Sequence, residues 1–167
     1  MNNSEFYIGQ VFNGQYSPYA AVWCNNNNAY IIKEDGKFII KAIPEPSLEE
    51  LKKNRLQELN EKFLEAEENG ILDSSVGFTI DATERSNRDI DGLIKSLEAT
   101  KQDNTRFCAA DNTFHDVTLD NLKTMQLEVI AYGQNLYAKK WTYREQINNA
   151  ETKDDIEQII IDFSEEQ

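Results

Sequence analysis

The chain has 167 residues, 40% of them hydrophobic and 10% aromatic, with 30 Asp and Glu against 17 Lys and Arg for a formal charge of −13. That apolar content excludes wholesale disorder and fits one domain, or one domain with a small appendage. The charge argues against generic binding to nucleic acid or anionic membranes, whose phosphates it would repel.

The first elements lie between residues 1 and 46. Phe6, Tyr7, Ile8, Val11 and Phe12 flank Gly9 as a first strand would, and Pro18 suits the opening turn of a short helix carrying Tyr19, Val22 and Trp23. The run Asn25 to Asn28 ends that helix, since Asn tolerates left-handed backbone. Tyr30-Ile31-Ile32 and Phe38-Ile39-Ile40 around Glu34-Asp35-Gly36-Lys37 predict a β-hairpin with strands near 29–34 and 37–42.

Ile43-Pro44-Glu45-Pro46 is a stiff connector, so the domain boundary is expected there, giving an N-terminal β-hairpin unit over 1–46 and an α+β domain over 47–167. Ser47-Leu48-Glu49-Glu50 has the form of a capping box and opens a helix to about Asn69, whose stripe includes Leu48, Leu51, Leu56, Leu59, Phe63 and Ala66. Residues 76–82 alternate as a half-buried strand. Ser86 is the expected cap of a helix with Ile90, Leu93, Ile94 and Leu97 on one face. Strands follow at 105–109 and 113–117. Thr118 caps a long helix whose apolar positions include Leu122, Met125, Val129, Ile130, Leu136 and Tyr137, which runs to Ile147 if unbroken, with Gly133 and the aromatic pair Trp141 and Tyr143 the places where a kink or interruption would fall. Thr152 caps a last helix carrying Ile156, Ile159, Ile160 and Phe163, after which residues 164–167 fray. The expected fold class is α+β: a small N-terminal hairpin unit, then helices packed on one small antiparallel sheet formed by 77–82, 105–109 and 113–117. The stripe of the 48–69 helix is expected to pack on the 118–147 helix.

Catalytic and ligand chemistry has few carriers. Cys24 and Cys108 make no CxxC pair, and His115 is the only histidine, which excludes multi-histidine metal sites; neither a metal nor a cofactor is expected. A small thiol or hydrolytic enzyme could be drawn from Cys108, His115 and Asp111 or Asp116, but only in a register that places 108 and 115 face to face. Asp89, Asp91 and Gly92 fail the calcium-loop spacing, because Thr100 stands where the bidentate acid belongs. Tyr19, Trp23, Asn26 and Tyr30 form a candidate aromatic and amide patch for protein or carbohydrate recognition. The plainer reading of the asparagines is a loop that accepts positive φ. The segment MNNSEFYIGQVF lacks a basic region and an apolar run of signal-peptide length, so the expectation is a protein kept in the cytoplasm or one that leaves it inside something larger.

The stretch from about Leu51 to Phe163 resembles a family of uncharacterised C-terminal domains in bacteriophage and prophage tail proteins. The resemblance is carried by GFTIDA (77–82), SNRDIDG (86–92), FCAADN (107–112) with His115, Thr118 and Leu119, then Lys139, Lys140 and INNA (147–150). YSPYAAVWCNNNN (16–28) resembles a leader joined to such domains. The resemblance implies a non-enzymatic tail fibre assembly chaperone or small tail accessory protein, with no catalytic residues to carry over. The implied partner is a tail fibre or receptor-binding protein, with self-association through the amphipathic helices as a further expectation. The implied location is the host bacterial cytoplasm during assembly, or the virion tail.

Overall fold

A computed structural model describes residues 6–164, and these fall into two compact units that divide between Ser47 and Leu48. The fold is α+β, with small antiparallel sheets and a preponderance of helix. The first five residues, which belong to the opening segment, and the last three, where fraying was expected, lie outside the described residues.

The N-terminal unit is a three-stranded antiparallel sheet with one helix. Strands β1 (Val11–Phe12), β2 (Ala29–Glu34) and β3 (Lys37–Ala42) stand in the order β1-β3-β2. Glu34 pairs with Lys37, so Asp35 and Gly36 form a two-residue turn, both with positive φ (47° and 78°) as such a turn requires. Helix α1 (Pro18–Asn26) starts where Ser17 Oγ accepts the Tyr19 N–H and Pro18 fills a position that needs no donor. It ends in the asparagine run, with Asn28 at φ 48°. Cys24 of α1 is buried with Ala29 and Ile40, and Phe12, Trp23 and Ile31 pack around them. The core therefore lies on the sheet face that carries Ala29, Ile31 and Ile40.

In the second unit α2 (Leu48–Glu68) is followed by β4 (Ile71–Asp73), β5 (Thr79–Asp81), α3 (Glu84–Thr100), β6 (Asn104–Cys108), β7 (Phe114–Thr118), α4 (Leu119–Asn149) and α5 (Lys153–Gln158). Helix α4 is the spine. Its first half buries Leu122, Met125 and Val129 against Ile90, Ile94 and Leu97 of α3, with Ile80 and Val117 from the strands. Its second half buries Leu136 and Ile147 against Leu59 and Phe63 of α2, with Ile156, Ile161 and Phe163. The stripe of α2 thus packs on α4 as its periodicity predicts. Arg55, inside the five-residue step of that stripe from Leu51 to Leu56, bonds the Ile156 carbonyl at 3.2 Å through its guanidinium and pairs with Glu58 at 2.7 Å.

The structure corrects or extends the sequence reading at five places. The strands do not form one sheet: β4 pairs with β5 and β6 with β7 in two separate ribbons, bridged by the Ala110 N–H bonding the Thr79 carbonyl at 3.0 Å. Strand β4 goes unread because three residues are too few to show alternation. Helix α3 begins a turn earlier than the Ser86 cap, because Thr83 Oγ1 accepts the Ser86 N–H at 3.1 Å. Helix α4 runs unbroken through Gly133 and Trp141 for 31 residues, opened by reciprocal bonds between Thr118 and Asn121. After α5 the chain is extended, so Ile161 and Phe163 turn inward while Ile160 is 79% exposed, where helical spacing would have buried it.

Candidate functional site

The structure separates the predicted recognition residues. On α1, Tyr19, Val22 and Asn26 share one outward stripe at three- and four-residue steps, with Tyr19 71% exposed. Trp23 is half-buried against the small core, and its carbonyl accepts the Asn27 side-chain N–H at 2.7 Å. Tyr30 alternates with Ala29 and Ile31 along β2, so it lies on the opposite face of the sheet from the one covered by α1. That second face carries a row across all three strands, Val11, Ile39 and Ile32, with Tyr30 beside it and the Lys41–Glu34 ion pair along it. The asparagines serve the helix end. The N-terminal unit thus has two exposed apolar surfaces rather than a single aromatic and amide patch.

The Cys108–His115 dyad does not form. Cys108 pairs with Phe114 and Phe107 with His115, so thiol and imidazole leave the β6–β7 ribbon on opposite faces. His115 faces inward and stacks on Phe78, with ring centroids 4.0 Å apart and planes 8° from parallel. Its Nε2 lies 2.8 Å from the Thr113 hydroxyl, which is 2.6 Å from Asp111 Oδ1. The hydroxyl has one proton and gives it to the carboxylate, so Nε2 is the donor to Thr113. The same hydroxyl, with the Thr113 N–H, holds the Asp111 carboxyl below its usual range. Asp116 lies on the outer face opposite Arg106, whose guanidinium sits 4.2 Å from the Phe114 ring centre. His115 and Asp111 are thus held by structural partners, and Cys108 stands on the face away from both the imidazole and the core. Among the described residues no cluster of three or more His, Cys, Asp or Glu is arranged to hold a metal ion.

What the sequence reading missed lies on α4. Ile130 and Tyr137, expected in the core, are exposed together with Leu127 and Trp141. These residues follow alternating steps of three and four with Gln134 between them, a second apolar stripe on the helix. Tyr137 links it to the core, its ring 4.9 Å from Phe63 and 6.0 Å from Trp141. Beside the stripe is a cavity of about 140 Å³ bounded by Phe63, Val129, Gly133, Leu136 and Asn87, and the Asn87 Oδ1 is buried without a hydrogen-bond partner. The heptad spacing was legible, but the overlapping core stripe of the same helix hides it.

A family model described as a domain of unknown function, DUF4376, matches residues 50–164. The chain belongs to that family. The DUF4376 match begins within α2 and ends after α5, within the second unit. Comparison with curated proteins and comparison with solved structures return no match.

Proposed function

We propose that this protein is a non-enzymatic bacteriophage or prophage tail protein that binds a tail fibre or receptor-binding subunit, as an assembly chaperone or a small tail component. The observation that carries the binding role is the pair of exposed apolar surfaces on the N-terminal unit, Tyr19 and Val22 on α1 and Val11 and Tyr30 on the open face of the sheet. Clustered exposed apolar residues of this kind are characteristic of interaction sites. The phage setting rests on the resemblance of residues 51–163 and 16–28 to tail proteins. The surplus of 13 negative charges supports a chaperone role, because it keeps complexes apart by repulsion.

Co-expression with the fibre subunit encoded beside it, followed by size-exclusion chromatography, tests this reading. The expected result is a co-eluting complex that a Tyr19→Ala, Val22→Ala double variant weakens while its own fold persists. No complex, with fibre folding unaffected, refutes it. Mass spectrometry of purified virions then separates chaperone from structural component.

A further inference from the structure

We infer that the second apolar stripe of α4 is the interface of a symmetric dimer, in which two copies of this chain pair their α4 helices antiparallel about Gln134. Leu127 (68% exposed), Ile130, Gln134, Tyr137 and Trp141 (62%) occupy the a and d positions of two heptads. They lie well round the helix from Leu122, Met125, Val129, Leu136 and Ile147, which are already spent on the core.

The stripe is self-complementary in one direction. A two-fold axis through Gln134 sets Leu127 beside Trp141 of the second copy, since each is seven positions from the axis. Ile130 meets Tyr137 of the second copy, four positions on one side against three on the other. Gln134 meets itself, and an amide both donates and accepts, so the self-contact can be satisfied. Lys123, whose ammonium also pairs with Glu98 of its own chain at 2.9 Å, and Glu145 extend the same stripe eleven positions either side and would face one another across the axis. Parallel pairing would put Lys123 on Lys123 and Glu145 on Glu145, a like-charge contact at each end. Flanking Ala131, Gly133 and Ala138 are small enough for the helix axes to approach closely.

The stretch from Gln126 to Arg144 also carries Lys139, Lys140 and Arg144 against the single acid Glu128, so the centre of this contact is locally basic within an acidic chain. Glu128 is engaged on the other side of the helix by Ser74 and Ser75. A C2 contact uses one patch twice, as this stripe does. The inference concerns the family domain alone and does not rest on the tail assignment.

The test uses the full chain with Cys108→Ser to remove the exposed thiol. Leu127→Cys and Trp141→Cys variants are prepared separately, then oxidised alone and mixed. The expected result is a disulfide-linked dimer from the mixture and little from either alone. Sedimentation equilibrium of the unmodified chain should show its mass doubling with concentration. Leu127→Glu should raise the midpoint at least about tenfold, roughly the 1.4 kcal/mol that tenfold represents. Asn135→Glu, on the far side of the helix, should leave the midpoint unchanged, and circular dichroism checks that each variant is folded. A single-chain mass at every concentration up to about 1 mM, the weak end of measurable affinity, overturns the inference. So does efficient cross-linking of Leu127→Cys with itself, which would mean parallel pairing.

Discussion

Ser74 donates its hydroxyl proton to Glu128 Oε2 at 2.5 Å, joining the loop after β4 to the first half of α4 across 54 positions of sequence. Glu128 Oε1 also accepts the Ser75 N–H at 3.0 Å and the Ser75 hydroxyl at 2.5 Å, so one carboxylate fastens the whole turn. Ser74 is buried. Glu128→Ala therefore leaves a buried hydroxyl without its acceptor, at an expected cost of about 1–3 kcal/mol. Urea titration measures it, and Glu128→Gln, which keeps one acceptor oxygen, should lose less.

The same carboxylate shapes the response to acid. Burial raises the Glu128 pKa, but the donors from Ser74 and Ser75 outweigh it and the net shift is downward. Asp111, Asp155 and Asp162 are lowered too, chiefly by the Thr113 hydroxyl, the Thr152 hydroxyl and the Ser164 N–H respectively. A carboxylate with a lowered folded pKa adds stability that is complete above its unfolded value, about 4. That stability is lost as pH falls through the folded value. The urea midpoint should drop between pH 7 and pH 3, by less in Glu128→Gln. An equal drop in both proteins would remove Glu128 from the account.

Gly70 is buried where α2 turns into β4. A Cβ there would lie 2.7 Å from Tyr132 Cε1 and 2.9 Å from the Ala82 carbonyl oxygen, and that carbonyl belongs to backbone that cannot swing aside. Gly70→Ala should destabilise by about 1–3 kcal/mol, the usual penalty of overpacking. Adding Tyr132→Ala should recover only part of the loss in chemical denaturation, because the carbonyl clash remains.

Lys101 closes α3 in left-handed backbone, at φ 56° and ψ 34°, with its N–H bonded to the Leu97 carbonyl at 2.9 Å. A side chain at that position carries strain that glycine does not. Lys101→Gly should stabilise by roughly 0.5–1 kcal/mol once the added freedom of the unfolded chain is subtracted. A fall in melting temperature would contradict this.

The two thiols should differ in reactivity. Cys108 is exposed, whereas Cys24 is buried on the inner side of α1 with its pKa raised by desolvation. One thiol per chain should react with an aromatic disulfide reagent under native conditions, and two after unfolding. Cys108→Ser should abolish the fast phase.

Local chemistry determined much of the fold by itself. The Asp35-Gly36 turn, the Thr118 and Thr152 caps and the apolar periods of α2 and α4 are legible because each depends on residues within a few positions of one another. Tertiary structure decided the rest. Whether Cys108 and His115 share a face depends on the parity of the β6–β7 register, and residues 109–113 announce a turn without stating that parity. Ile130 and Ile160 fit helical stripes as well as any core residue, yet α2 and α3 cover only one side of α4, and the chain is already extended at Ile160. Tyr19 and Tyr30 lie near each other in sequence, but a sheet stands between the faces they occupy. Periodicity shows which residues share a side of an element; only the packing of neighbouring elements decides which side is covered.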